Sequence, residues 1–205
     1  MKALDPAVAS AIQEAVSELE RTSCAEVVVE IRGRAGSYGH AHARFASLLA
    51  FLALVLLLFS RWHFAAAWVA VDVVLVWFAG VLIARKSDSL RRFLTSKRER
   101  EAMARLRASA AFHERGIANT SRESGVLVFL SVLERHLEVL ADRGVLEAVP
   151  ALEWNRIVEE TRHRAATPAT LVLVLRELMP LLACHLPPVE GDVDELTNVP
   201  RFVSE

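Results

Sequence analysis

Glu134, Arg135, Asp142 and Arg143 are the local residues closest to the needs of phosphoryl chemistry. A carboxylate can activate water or hold a cation, and an arginine can neutralise phosphate oxygens. Glu134-Arg135 and Asp142-Arg143 stand at opposite ends of one predicted strand, roughly 20 Å apart at 3.3 Å per residue, so the pairs do not share one site. As surface residues they would simply be polar positions at a turn and a strand edge. His40 and His42 form a His-x-His beside an apolar segment, a spacing that can ligate metal but that here lacks an adjacent Cys or carboxylate. Cys184-His185 is a thiol next to an imidazole, yet adjacent residues on a helix do not face each other. Asp192, Asp194 and Glu195 make an acidic tail, which is either a weak calcium ligand set or a solvated terminus. No phosphate loop, dinucleotide fingerprint or Ser-His-Asp spacing is present.

Asp72 differs from these because of where it lies. Residues 45–60 carry no charge, and 64–84 form a second apolar run broken only by Asp72. About 20 residues cross the hydrocarbon core, with roughly 17 as a lower limit. The second run meets this length alone. The first meets it with Ala43 and with Arg44, whose head group can reach the interface. Trp62, Trp68 and Trp77 are of the type that marks membrane edges. A carboxylate near the middle of a span costs roughly 3 kcal/mol. No basic residue of the first run stands at matching depth, so Asp72 is expected to be protonated or to meet a partner protein or a second copy of the chain.

Arg85, Lys86, Arg91, Arg92, Lys97 and Arg98 follow the second span, whereas the connecting turn holds Arg61 alone. Basic residues favour the cytoplasmic side. The sequence therefore predicts a two-span protein of the cell inner membrane with both termini cytoplasmic, its basic stretch lying against anionic lipid head groups. The first 20 residues lack the apolar core of a signal peptide. Nucleic acid is not an expected partner, since the formal net charge is −1 and no domain-wide basic excess exists. Cys24 and Cys184 make no disulfide framework and read as small apolar side chains.

The remaining segments have the pattern of one α/β domain. Asp5-Pro6 opens a helix carrying Val8, Ile12, Ala15, Val16 and Leu19, and Glu26–Arg32 reads as a strand. Ser96 caps a helix with Met103, Leu106, Ala110 and Phe112. Gly125–Val132 and His136–Asp142 read as further strands. Pro150 starts a helix with Trp154, Ile157, Val158 and Thr161 on one face, and Thr167-Pro168 opens another through Cys184. Arg176, Glu177 and Pro180 argue that this last helix packs in the domain and does not span. The predicted fold is a small three-layer α/β/α domain with a mixed sheet, interrupted by a two-helix transmembrane hairpin. A hairpin returns to the side it left, so the two halves can share one sheet. The expected division is 1–42, the hairpin at 43–84, 85–186, and an acidic tail at 187–205.

The soluble portion resembles the TPM-domain family, which includes thylakoid-lumen phosphatase-like proteins and many bacterial membrane proteins. The resemblance rests on Ala25-Glu26-Val27-Val28-Val29, Thr120, Gly125-Val126-Leu127-Val128-Phe129, Glu134-Arg135, Glu138-Val139, Ala141-Asp142-Arg143-Gly144, Trp154, Pro187-Pro188 and Glu195-Leu196. It is similar in particular to the bacterial subgroup with an inserted membrane hairpin. Relatives in this family are described as acid phosphatases, as calcium binders or as accessory factors of membrane protein complexes. The resemblance carries Asp142 over by position, without a neighbouring Asp, and makes a divalent cation such as calcium the cofactor to consider. Two functions follow. One is a non-catalytic accessory or assembly factor that binds a partner at the inner face of the membrane. The other is a membrane-tethered phosphatase-like hydrolase, with Asp142, Arg143, Glu134 and Arg135 as catalytic candidates.

Overall fold

The computed structural model describes residues 5–61, 65–189, 195–197 and 199–203. The chain divides into two units, Gly36–Arg100 and the remainder, Met1–Ala35 with Glu101–Glu205. Trp62, Asp192 and Asp194, which enter the expectations above, lie outside the described residues.

The larger unit is built on a sheet of strand order β3-β2-β1-β4, with β1 Glu26–Arg32, β2 Gly125–Ser131, β3 His136–Ala141 and β4 Arg201–Val203. β1 runs parallel to β2 and β4, and β2 runs antiparallel to β3, so the sheet is mixed. β1 and β2, separated in sequence by the whole apolar hairpin, pair in full register from Glu26↔Gly125 to Arg32↔Ser131. The interrupted halves therefore do share one sheet. Both central strands are buried along their whole length, which accounts for their near-continuous apolar runs.

Side chains alternate across the pleat. Val27, Val29, Ile31, Val126, Val128, Leu130, Leu137 and Val139 face one layer, formed by α1 (Pro6–Thr22), the later helices α7 (Ala151–His163) and α8 (Pro168–His185), and the short α6 (Arg143–Ala148). Asp5 caps α1 by accepting from Ala7 N at 3.0 Å, and Thr167 caps α8 in the same way from Thr170 N. Trp154, Ile157, Val158 and Thr161 of α7 are buried, as their spacing predicts. Val28, Leu127 and Phe129 face the opposite layer, where Ala108, Ala111 and Phe112 of α5 (Lys97–Glu114) pack with Ile117 of a short 3₁₀ turn, Ile117–Asn119. Ser96 caps α5, its hydroxyl accepting from Glu99 N. The buried face of α5 differs from the expected one: Leu106 is 66% exposed, and Ala104, Ala108 and Ala111 are buried in its place. A row of alanines lets the helix approach the sheet closely, leaving the long side chain outside.

α6, β4, the short helix Asp88–Leu94 and the 3₁₀ turn were not anticipated from the sequence. Asp142 does not end a strand at a turn. It caps α6, its Oδ1 accepting from Arg143 N at 2.8 Å. The C-terminal segment returns to add β4 at the free edge of β1, with Glu195 N and Leu196 N donating to the Glu26 carboxylate on the way.

The smaller unit holds α2 (Gly39–Leu58), α3 (Ala66–Lys86) and the short α4 (Asp88–Leu94). α2 and α3 pair closely through small residues: a Cβ at Gly80 would stand 2.9 Å from Ala46 Cα. Their other faces display Leu48, Phe51, Leu52, Leu56, Val71, Leu75, Phe78 and Leu82, an exposed apolar surface of the kind a bilayer covers. Three helices among the described residues, α2, α3 and α8, are long and apolar enough to cross a membrane, where the sequence had suggested two. α8 meets the length and composition, yet it buries Leu171, Val174, Leu175, Leu178, Leu181 and Leu182 in the core of the sheet unit and pairs Glu177 with Arg164 at 2.6 Å. Gly80→Val is expected to overpack the α2–α3 contact and cost about 1–3 kcal/mol. It should lower the midpoint of thermal unfolding in detergent, whereas Leu82→Val, at an exposed position, should leave it unchanged.

Candidate functional site

The C-terminal ends of β1 and β2 and the start of β3 lie at one edge of the sheet, where open α/β sheets carry their ligand crevices. On the α5 side of this edge the pairing register places Arg32, Ser131 and His136 in one row, and Glu30, Phe129 and Glu138 in the row behind. All four titratable side chains of these rows are buried: Glu30 at 0%, Arg32 at 4%, His136 at 5% and Glu138 at 2% exposure.

Each carboxylate is the centre of a cationic cluster. Glu30 accepts from Arg32 Nε at 2.5 Å and from Arg115 Nε at 2.8 Å. Glu138 accepts from Arg162 Nη2 at 2.5 Å, meets His136 Nε2 at 2.6 Å, and has Arg105 Nε at 3.7 Å. Burial by itself pushes both carboxyls up. The hydrogen bonds from Arg32 and Arg115, and from His136 and Arg162, outweigh it and hold both below the usual carboxylate range. The two carboxylates stand two strands apart, about 10 Å at the usual interstrand spacing. With their oxygens already engaged, Glu30 and Glu138 brace the end of the sheet.

The residues singled out from the sequence fall elsewhere. Glu134 is buried; it accepts from the Ser131 hydroxyl and, at 3.0 Å, from Ala35 N, holding the β2–β3 turn. Arg135 is exposed in that turn with a left-handed backbone, φ 53°. Asp142 and Arg143 sit at the other end of β3. Arg143 is exposed and pairs with Glu147 at 2.6 Å, which raises its pKa. Asp142 Oδ2 is buried without a hydrogen-bond partner among the described residues. Among the described residues, no three His, Cys, Asp or Glu side chains converge as a metal site would require. His40 and His42 part company. His40 meets Glu99 at 2.6 Å, and buried His42 accepts from Arg91 Nε at 3.2 Å. Cys184 is an exposed free thiol, and His185 lies 3.9 Å from Glu153. Glu195 of the acidic tail accepts from Ser121 N and from its hydroxyl.

In the smaller unit Asp72 is the seventh residue of α3, so it lies about 9 Å along the helix from its first residue and about 21 Å from its last, at 1.5 Å per residue. That is a third of the way along and not the middle, because the helix begins at Ala66. Asp72 makes no hydrogen bond or ion pair with any described residue. The basic stretch also divides. Arg85, Lys86, Lys97 and Arg98 are exposed and Arg92 is half-buried, with Phe93 86% exposed beside them. Arg91 departs from the expected lipid-facing role: it is 7% exposed, and its guanidinium bonds Asp88, His42 and the Arg85 carbonyl. Satisfying the carbonyl at the end of α3 uses the donors that a lipid phosphate would have needed.

The buried charge network was missed in the sequence. Its signal was there: Glu30, Arg32, His136 and Glu138 fall at alternate positions inside apolar strands, where a charge must find a buried partner.

No family model matches the sequence, and no curated protein matches it. The fold is similar to that of the BA42 protein from the psychrophilic bacterium Bizionia argentinensis, solved by NMR, with a TM-score of 0.56 at 16% identity, covering 98% of this chain and 97% of that one. At that identity the likeness is one of fold.

Proposed function

We propose that the chain is a TPM-like domain anchored in the bacterial inner membrane by the α2–α3 hairpin, with both termini cytoplasmic, and that it acts as a non-catalytic accessory or assembly factor for a membrane partner. The observation that carries this reading is Asp72. A carboxylate within an apolar helix is costly unless paired, and this one has no partner among the described residues. A partner protein, or a second copy of this chain, supplies the missing donor. Exposed Arg85, Lys86, Lys97, Arg98 and Phe93, with half-buried Arg92, suit an interface with anionic lipid, basic heads and one aromatic side chain together. The buried carboxylates of the sheet edge support the non-catalytic part, since their oxygens are already occupied.

A second reading, a membrane-tethered hydrolase, is favoured by Asp142 Oδ2, a buried oxygen with no hydrogen-bond partner among the described residues. Asp142 would then help hold a divalent cation such as calcium, which would supply Lewis-acid activation of a bound phosphate. The experiment that separates the readings is an assay of the purified full chain on phosphomonoesters with and without calcium. We expect no turnover above a blank. Turnover that needs the ion and disappears in Asp142→Ala would establish the hydrolase instead.

A further inference from the structure

A cleft of about 580 Å³ opens on the α5 side of the sheet, with Val28 of β1 as its floor, the end of α5 as one wall and the returning C-terminal segment as the other. This volume lies within the range of small-molecule sites. Its charged groups are unequally committed. Both wall carboxylates are engaged: Glu114 takes two hydrogen bonds from Arg107, at 3.0 and 2.9 Å, and Glu195 takes those from Ser121. The two arginines are not. Arg115 gives its Nε to the buried Glu30, which fixes the guanidinium, and its terminal nitrogens make no hydrogen bond with any described residue. Arg201, paired in register with Glu30 on β4, makes no hydrogen bond or ion pair with any described residue. Glu30 is already satisfied by Arg32 and Arg115, so Arg201 is left facing the cleft with no carboxylate to claim it. Leu196, Val199 and Pro200 add an apolar rim.

We propose that this cleft binds a small organic oxyanion attached to an apolar body, with Arg115 and Arg201 holding the anion and the rim covering the body. A guanidinium fixed by a buried carboxylate presents its remaining N–H groups in a set geometry, which suits the two oxygens of a carboxylate or phosphate. The site is independent of the membrane role and of Asp142.

Calorimetric titration of the full chain in nanodiscs tests it, with phenylacetate, phenyl phosphate, phenylacetamide and inorganic phosphate as probes. We expect saturable binding of at least one aryl anion, weakened about tenfold or more in Arg201→Gln, as for loss of a charged hydrogen bond. The Arg156→Gln variant, exposed on α7 and outside the cleft lining, should bind as the wild type does. A preference for phenylacetate marks a carboxylate ligand and a preference for phenyl phosphate a phosphate ester; either supports the site. Absence of saturable binding by both aryl anions overturns the proposal. So does unchanged affinity in Arg201→Gln, equal binding of neutral phenylacetamide, or inorganic phosphate binding as tightly as its phenyl ester.

Discussion

Glu30→Ala is expected to destabilise the sheet unit by about 3–5 kcal/mol, the cost of stranding a buried charge by removing its partner. Glu30 is fully buried on a central strand, and it neutralises Arg32, itself 4% exposed, at 2.5 Å. Without the carboxylate buried Arg32 loses the counter-charge that Glu30 holds at 2.5 Å, whereas Arg115, 21% exposed, can turn to water. Removing both members, Glu30→Leu combined with Arg32→Leu, should cost less than removing Glu30 alone, since buried pairs are often replaced by apolar residues without loss. Chemical denaturation of the three proteins reads the difference. The pH dependence has a defined sign. The folded pKa of Glu30 lies below its unfolded value, so its contribution is fully present above the unfolded pKa and is lost as pH falls through the folded one. The wild type should therefore lose stability as pH drops below the ordinary carboxylate value of 4.5. Glu30→Ala should show a shallower acid limb, the remaining slope coming from Glu138, whose carboxyl is lowered in the same direction.

Asp72→Leu should produce two changes of opposite sign. Replacing the carboxylate by an apolar side chain relieves an insertion cost below the roughly 3 kcal/mol of a mid-span carboxylate, so α3 should insert more completely in a glycosylation-mapping assay. The same substitution removes the group offered to a partner, so association should weaken. Asp72→Asn keeps a hydrogen-bonding side chain without the charge and should fall between them. A residue serving only as a tolerated imperfection of the helix would show the first effect without the second.

The elements legible in the sequence were those with an uninterrupted period. α1, α7 and α8 repeat at helical spacing behind their caps Asp5, Pro150 and Thr167, and β1 occupies Glu26–Arg32 as read. What stayed hidden depends on tertiary pairing. β4 is three residues long, Arg201–Val203, too short to show alternation, and its hydrogen bonds come from β1 far away in sequence. The acidic residues before it read as solvated, although Glu195 docks onto Ser121. Asp142-Arg143-Gly144 looks like a strand exit, and only the hydrogen bond from Arg143 N to Asp142 reveals the helix cap. The alternating charges of the sheet-edge cluster are legible, but their partners stayed hidden for a similar reason: Glu30 and Arg115 are 85 positions apart, and Arg162 reaches Glu138 across 24. Arg91 resembled its basic neighbours until the fold turned it inward.

On the proposed reading, Asp72 engages a protein partner within the membrane. Quantitative affinity purification of the tagged full chain from native membranes, comparing wild type with Asp72→Leu and with Gly80→Ala as a second hairpin variant, tests it most directly. A membrane protein, or a second copy of this chain, should be recovered in stoichiometric amount with the wild type and be at least tenfold depleted with Asp72→Leu. Recovery of the same partner at equal stoichiometry with Asp72→Leu, or of no stoichiometric partner with the wild type, would contradict it.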